Sequence, residues 1–326
     1  MSRITDCSIK NASCSKGFTI VELMVAMTIG LILVAGLMTL VVGNIQGYGE
    51  LNKASYQVDN ARFSTQLLRD EISNAGYYGD LSFVPGFTAL PTNPCSATLS
   101  HVDARYMIPL QGINEYSSSN AALACKTGLS IKAGTDMLLV RRAASTAVAL
   151  TARDAAKLYL ASSTDASKVL ANDTDTSAAS FLTIARFQNV RAYQEKIFFV
   201  STCNVCSGDD ADTIPTLKVI ELMTAGWHGP TALVEGVEEL EFEYGLDTDE
   251  DGAVNSFVSL PSSAAEWASV AAVRFSLLVR NIETSSNVES KTYQVGPDSL
   301  TKGDGFKRHV YSMTVRLRNS AERREL

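Results

Sequence analysis

Charge is scarce in this chain. Charged residues make up 19% of its 326, and 28 Lys and Arg are outnumbered by 35 Asp and Glu, for a formal charge of -7. Nucleic-acid binding needs a basic face against the phosphates, so this balance argues against it. Histidine is scarcer still. His101, His228 and His309 stand far apart, without the spacing of metal ligands. Neither a G-x-S-x-G elbow nor a P-loop occurs, which leaves no sequence mark of a nucleophilic or phosphate-binding enzyme. No segment repeats. Six cysteines are too few to staple a small disulfide scaffold. Apolar residues are not lacking: at 46% they exclude a disordered chain and suffice for one large or two ordinary domains.

That apolar content is unevenly spread. Residues 1–17 are polar and carry Arg3, Lys10 and Lys16 against Asp6. From Phe18 to Gly43 the only charge is Glu22, and the 21 residues from Leu23 onward have none. As a helix, those residues reach roughly 31 Å, a bilayer core. The basic flank should remain cytoplasmic and send the C-terminal bulk outward. An ordinary signal peptide has a shorter apolar core and a small-residue cleavage site after it. A lipoprotein signal places its cysteine after the apolar run, whereas Cys14 precedes it. A plain signal anchor accounts for the hydropathy but gives no reason for Glu22, a carboxylate that costs at least a few kcal/mol among lipid tails.

KGFTIVELMVAMTIG resembles the type III signal of type IV prepilins. The resemblance implies that a membrane prepilin peptidase cuts after Gly17. It also implies that Phe18 becomes an N-methylated terminus and that Glu22 is the acid used in assembly. Pairing Glu22 with the amine of Phe18, in the same or a neighbouring subunit, would neutralise both as the helix leaves lipid for a bundle. Cleavage would remove Cys7 and Cys14 along with three basic residues and one acid, taking the charge from -7 to -9.

Beyond the apolar run, Leu51, Ala54, Val58, Ala61, Leu68, Ile72 and Ala75 recur at three, four or seven, which predicts an amphipathic helix up to Gly76. Gly43, Gly47 and Gly49 predict a kink or local melting. The helix end, NARFSTQLLRDEISNAGYYGD, resembles the PilW branch of minor pilins, with Asp80 where many relatives carry a cysteine. The closing VRLRN fits the same pattern. The expected fold is α+β and pilin-like: a long N-terminal helix, transmembrane in its first half, packed on an antiparallel head with loop-rich insertions. The expected division is a leader over 1–17, a helix over 18–76 with its membrane and assembly half at 18–43, and a head over 77–326.

Within the head, 81–135 reads as loop-rich and 143–180 as a solvated loop or short-helix insertion. Runs at Asp136–Val140, Phe181–Ile184 and Lys196–Val200 read as strands. LKVIELM, VEELEFEYGL, AAVRFSLLVR and HVYSMTVRL read as strands of one sheet, with a short helix around Trp267. Tyr77 and Tyr78 are expected to pack below the helix end.

LDTDEDGAVN is the strongest local motif. Asp247, Asp249 and Asp251 occupy positions 1, 3 and 5 of a calcium loop, Gly252 position 6, Ala253 position 7 through its carbonyl, and Asn255 position 9. Oxygen ligands alone suit Ca2+. Position 12 is Val258 in place of a glutamate, with Glu266 as a substitute; the alternative is a solvated acidic turn. Cys203 and Cys206 form a C-x-x-C followed by a loop, whereas a redox motif would open a helix at its first cysteine. Four extracytoplasmic cysteines allow three pairings, and Cys95–Cys125 with Cys203–Cys206 is expected because each pair closes a local loop.

Two classes of function remain. In the first, a non-catalytic minor pilin primes a type IV pilus or sits at its tip, reaching the cell surface from the bacterial inner membrane. Its partners would be other minor pilins, the major pilin and a tip adhesin; the nearest competitor is a minor pseudopilin of a type II secretion system. In the second, a single-pass calcium-dependent adhesin uses the helix only as an anchor.

Overall fold

The first helix forms over a long proline-free run in which Leu, Met and Ala are mixed with β-branched residues. α1, Ile20–Ser73, runs unbroken in the computed structural model across Gly43, Gly47 and Gly49, where a kink was expected. Nothing lies within 4 Å of a Cβ built on any of the three, so they relieve no crowding there. The structure describes residues 17–81, 87, 89–91, 93–117, 125, 128–163, 167–170, 189–285 and 288–321. The strand expected at Phe181–Ile184 and nearly all of the leader lie outside them.

The chain divides into two compact units, one up to Asn52 and one from Lys53 to Leu326. The second unit takes in the last part of α1, whose side chains from Gln57 onward contribute to its core. The buried stripe is Gln57, Ala61, Ser64, Leu68 and Ile72. Leu51 and Ala54, expected on that stripe, are exposed, and Val58 is half-buried. Two polar residues take their place because both find acceptors. Gln57 Nε2 donates to Val279 O at 2.6 Å and Lys307 O at 3.3 Å, and Ser64 Oγ bonds back to Asn60 O. Lys53 Nζ reaches Thr284 O at 2.8 Å and Asn60 Nδ2 reaches Glu235 O at 3.0 Å. At the helix end Gly76 adopts φ +73, and Tyr78 is buried against Tyr106.

After α2 (Leu99–Arg105) come β1 (Leu110–Ile113), β2 (Met137–Ala149), β3 (Tyr159–Ser162), β4 (Ser167–Leu170) and β5 (Asn189–Ser201). The insertion read as loop over 143–180 thus contributes the second half of β2 and the β3–β4 hairpin. Its Ala, Ser and Thr composition hid strands that pair through their backbones. β6 (Thr216–Met223) and β7 (Gly226–Glu235) complete an antiparallel sheet of seven strands among the described residues, ordered β1-β2-β5-β3-β4, with β6 between β5 and β7. A second sheet is built from β8 (Val237–Leu246), β9 (Ser256–Val258), α3 (Ala264–Ala268), β10 (Val270–Arg280) and β13 (Arg308–Arg316), its strands ordered β13-β10-β8-β9. The hairpin β11 (Lys291–Val295) with β12 (Asp298–Lys302) lies on the outer side of β10, and α4 (Arg318–Ala321) follows β13.

LKVIELM therefore belongs to the seven-stranded sheet, not to the sheet of the other three C-terminal segments. The chain changes sheets at Gly236, where φ is +80 and an added Cβ would lie 2.5 Å from Arg280 O. The main core fills the space between α1 from Ala61 to Ile72, with Ala75 just beyond the helix end, and the two sheets, with Leu138, Phe198, Leu240, Phe242, Val273 and Phe275 among its members. Gly112 of β1 marks a close approach to the second sheet, since a Cβ there would overlap the hydroxyl of buried Tyr244. Gly112→Ala is expected to cost about 1–3 kcal/mol through overpacking, read as a lowered thermal midpoint. A variant melting with the parent would show that Tyr244 can move away.

Candidate functional site

Three places carry the residues singled out by the sequence. The first is the start of α1. Phe18 is 80% exposed, and nearly every large apolar side chain from Phe18 to Val42 is exposed as well. This is the one helix among the described residues long and apolar enough to cross a membrane. Apolar surface on this scale must be covered by lipid or by other helices. Thr19 caps the helix by accepting Glu22 N–H at 3.2 Å, so Glu22 stands at the third helical position, where a carboxylate also complements the helix dipole.

The aspartate loop connects β8 to β9. One carboxylate oxygen from each of Asp247, Asp249 and Asp251 lies within 4.8 Å of the others; Asp247 is buried and the other two are exposed. Gly252 takes φ +83 and donates its N–H to Asp247 Oδ2 at 3.1 Å, and Ala253 N–H bonds Asp251 Oδ1 at 2.8 Å. Asn255 Oδ1 accepts from Thr248 N and Oγ1, which commits it to closing the loop. Val258 pairs with Tyr244 in β9. Glu266 is not a substitute ligand: its carboxylate accepts from Ser262 N and Oγ, and its N–H bonds Ser263 Oγ at the start of α3. Oxygen donors from three aspartates fit a hard cation, and the residues that hold them are those of positions 1, 3 and 5.

The third place is the cysteines. Cys95 is joined to Cys125, and Cys203 to Cys206. Cys95 O also accepts the indole N–H of Trp227 at 2.7 Å, tying the first bridge to β7. Beside the second bridge, Lys218 Nζ lies 3.3 Å from Cys206 Sγ. Spacing does not link Lys218 to the cysteines. The available signal is a lysine on the face it shares with Ile220 and Leu222 in β6.

Two family models match. The type IV pilus-assembly protein W model covers residues 197–319, from the second half of β5 through β13. The prokaryotic N-terminal methylation motif covers residues 12–38, which include Gly17, Phe18 and Glu22. Over these two segments the chain is similar to the PilW pilus-assembly proteins and to the methylated N-termini of type IV pilins. No curated protein matches it. A structure that aligns with this chain is a type IV-like pilin from Thermus thermophilus, 10% identical, with a TM-score of 0.38, over 80% of this chain and 95% of that one. The methylation motif implies processing by a prepilin peptidase, membrane anchoring through α1 and assembly with pilus partners.

Proposed function

We propose that this chain is a minor pilin that primes a type IV pilus or sits at its tip with other minor pilins. The observation that carries the reading is α1: an exposed apolar run with one carboxylate, Glu22, three residues into the helix from its Thr19 cap. A helix used only as an anchor has no need of a charge there. The basic flank orients the head away from the cytoplasm, first on the inner membrane and then on the pilus. Other minor pilins, the major pilin and a tip adhesin are its partners in this reading. A large head with its own two sheets suits a subunit present in few copies.

Mass spectrometry of the mature chain should find methylated Phe18 at its N-terminus. Glu22→Leu should still be processed and inserted, but should lose co-purification with other pilins and reduce surface piliation at least tenfold. Normal piliation by Glu22→Leu would favour the anchored-adhesin reading. Loss of type II secretion with piliation intact would move the chain to the pseudopilins.

For the aspartate loop we propose Ca2+ as the ligand, supported by the convergence of three aspartate oxygens around a turn at Gly252. Calorimetric titration of the full chain should give a Ca2+ signal that Asp249→Asn with Asp251→Asn removes. Absence of heat at millimolar Ca2+ would leave the loop as an acidic turn.

A further inference from the structure

The loop carrying Cys203 and Cys206 is held without its disulfide. Asp212 Oδ1 accepts from Asn204 N at 2.8 Å and Ile214 N at 2.9 Å, and its Oδ2 from Val205 N at 2.9 Å. Asp212 N–H returns to Val205 O, Lys218 Nζ donates to Asn204 O at 2.9 Å, and Asn204 Nδ2 bonds Glu235 Oε1 at 2.6 Å. The two cysteines are three residues apart, against 30 for Cys95–Cys125, so this bridge removes far less freedom from the unfolded chain. A structural purpose for it is therefore weak.

Its surroundings suit another purpose. Lys218 is only 4% exposed, yet its ammonium lies 3.3 Å from Cys206 Sγ. Ser201 Oγ is 3.5 Å from Cys206 Sγ and 3.7 Å from Cys203 Sγ, and Thr202 Oγ1 is 3.6 Å from Cys203 Sγ. A disulfide sulfur is a poor acceptor, whereas a thiolate is a good one. These donors consequently favour the reduced pair over the oxidised pair, the condition that makes a disulfide easy to reduce. Cys206 is an exposed residue and Cys203 a buried one, so an approaching thiol meets Cys206 first.

We propose that Cys203–Cys206 is a redox-active pair that exchanges with an external dithiol, with Lys218 stabilising the Cys206 thiolate. In the first step a thiolate of the dithiol bonds to Cys206 Sγ, and the disulfide breaks to release the Cys203 thiolate beside Ser201 and Thr202. In the second, the other thiol of the dithiol loses its proton and attacks its neighbour in the mixed disulfide, releasing the Cys206 thiolate against Lys218. The dithiol leaves oxidised and the protein pair is reduced by two electrons. Asp209, Asp210 and Asp212 are the acids of this loop, and Glu235 at the end of β7 meets it through Asn204. Asp212 favours the protonated form of Lys218, while burial, the larger influence, pushes its pKa down. The inference goes beyond a pilin role and does not depend on it.

The test uses the processed full-length chain in nonionic detergent, with dithiothreitol as the dithiol and peptide mass spectrometry to locate alkylated cysteines. The Cys203–Cys206 bridge should open at a dithiothreitol concentration at least tenfold below that needed for Cys95–Cys125, with circular dichroism unchanged. The iodoacetamide reaction of reduced Cys206 should half-titrate below the ordinary thiol value of about 8.5. Lys218→Met should slow that reaction about tenfold at neutral pH, and Lys218→Arg should restore most of it. Equal resistance of the two bridges, or half-titration of the parent at or above the ordinary value, overturns the proposal even if the Lys218 variants fail to fold.

Discussion

Glu195→Ala is expected to destabilise the head by about 3–5 kcal/mol, more than any other single carboxylate change, because it strands two buried guanidinium groups. Arg105 on α2 and Arg141 on β2 both aim at Glu195 of β5, and all three side chains are fully buried. Arg105 binds it through two nitrogens at 3.0 and 3.2 Å, and Arg141 Nε lies 3.0 Å from the oxygen that Arg105 Nε also contacts. Tyr193 OH donates to the other oxygen at 3.1 Å, and Arg141 further bonds Ile108 O and Gln111 Oε1. Removing the one anion leaves like charges in a low dielectric with nothing to offset their desolvation. Replacing Arg105, Arg141 and Glu195 together by apolar residues of similar volume should recover most of the loss. Urea unfolding of the full chain in detergent, followed through Trp227 and Trp267, measures both. A loss under about 1 kcal/mol for Glu195→Ala would mean that water reaches the group, contrary to the geometry.

Stability should fall as pH rises from about 4 to about 9. The cause is a carboxyl pair. Asp136 accepts backbone N–H bonds from Glu115 and Phe242 at 2.8 Å each, so it holds the charge, and Glu241 of β8 carries the proton and donates it to Asp136. Burial pushes Asp136 up to about 6. Burial, reinforced by Asp136, Asp298 and Glu239, pushes Glu241 up to about 9. Both folded values exceed the unfolded ones of 3.8 and 4.5, so the folded chain binds more protons. Their contribution is complete below about pH 4 and disappears as the pH passes through the folded values. Glu239 titrates in the same direction, whereas Glu238 and Asp304, both held down by Arg308, lose their contribution only in acid. With screening allowed for, the loss should be on the order of 2 kcal/mol. Glu241→Gln should flatten the profile, and an unchanged slope in that variant would place the titration elsewhere.

The parts of this fold that were legible in sequence are those where one period dominates. The helical recurrence of Ala61, Leu68 and Ile72 gave the buried face of α1, and apolar alternation gave β8, β10 and β13. Polar positions misled wherever their partner was distant: Gln57 is separated from Val279 by 222 residues. The Arg105–Glu195–Arg141 group was invisible because three elements supply it. A trace did exist, since Glu195 shares a face with Tyr193 and Ile197, and Arg141 one with Leu139 and Ala143. The aspartate spacing indicated where the loop would gather its carboxylates. It could not indicate that Asn255 and Glu266 are engaged elsewhere, because those bonds depend on the closure of β9 and on the start of α3.

The head segment of α1 is fastened to its neighbours through main-chain oxygens. Lys53, Gln57 and Asn60 reach the carbonyls of Thr284, Val279, Lys307 and Glu235, whereas the ion pairs of Lys53 with Glu283 and of Glu71 with Arg142 and Lys196 depend on the residue opposite. A carbonyl is present whatever residue bears it. At those carbonyl contacts the residue on the strand end or turn can change while the helix continues to seat, whereas Glu283, Arg142 and Lys196 cannot change without losing an ion pair.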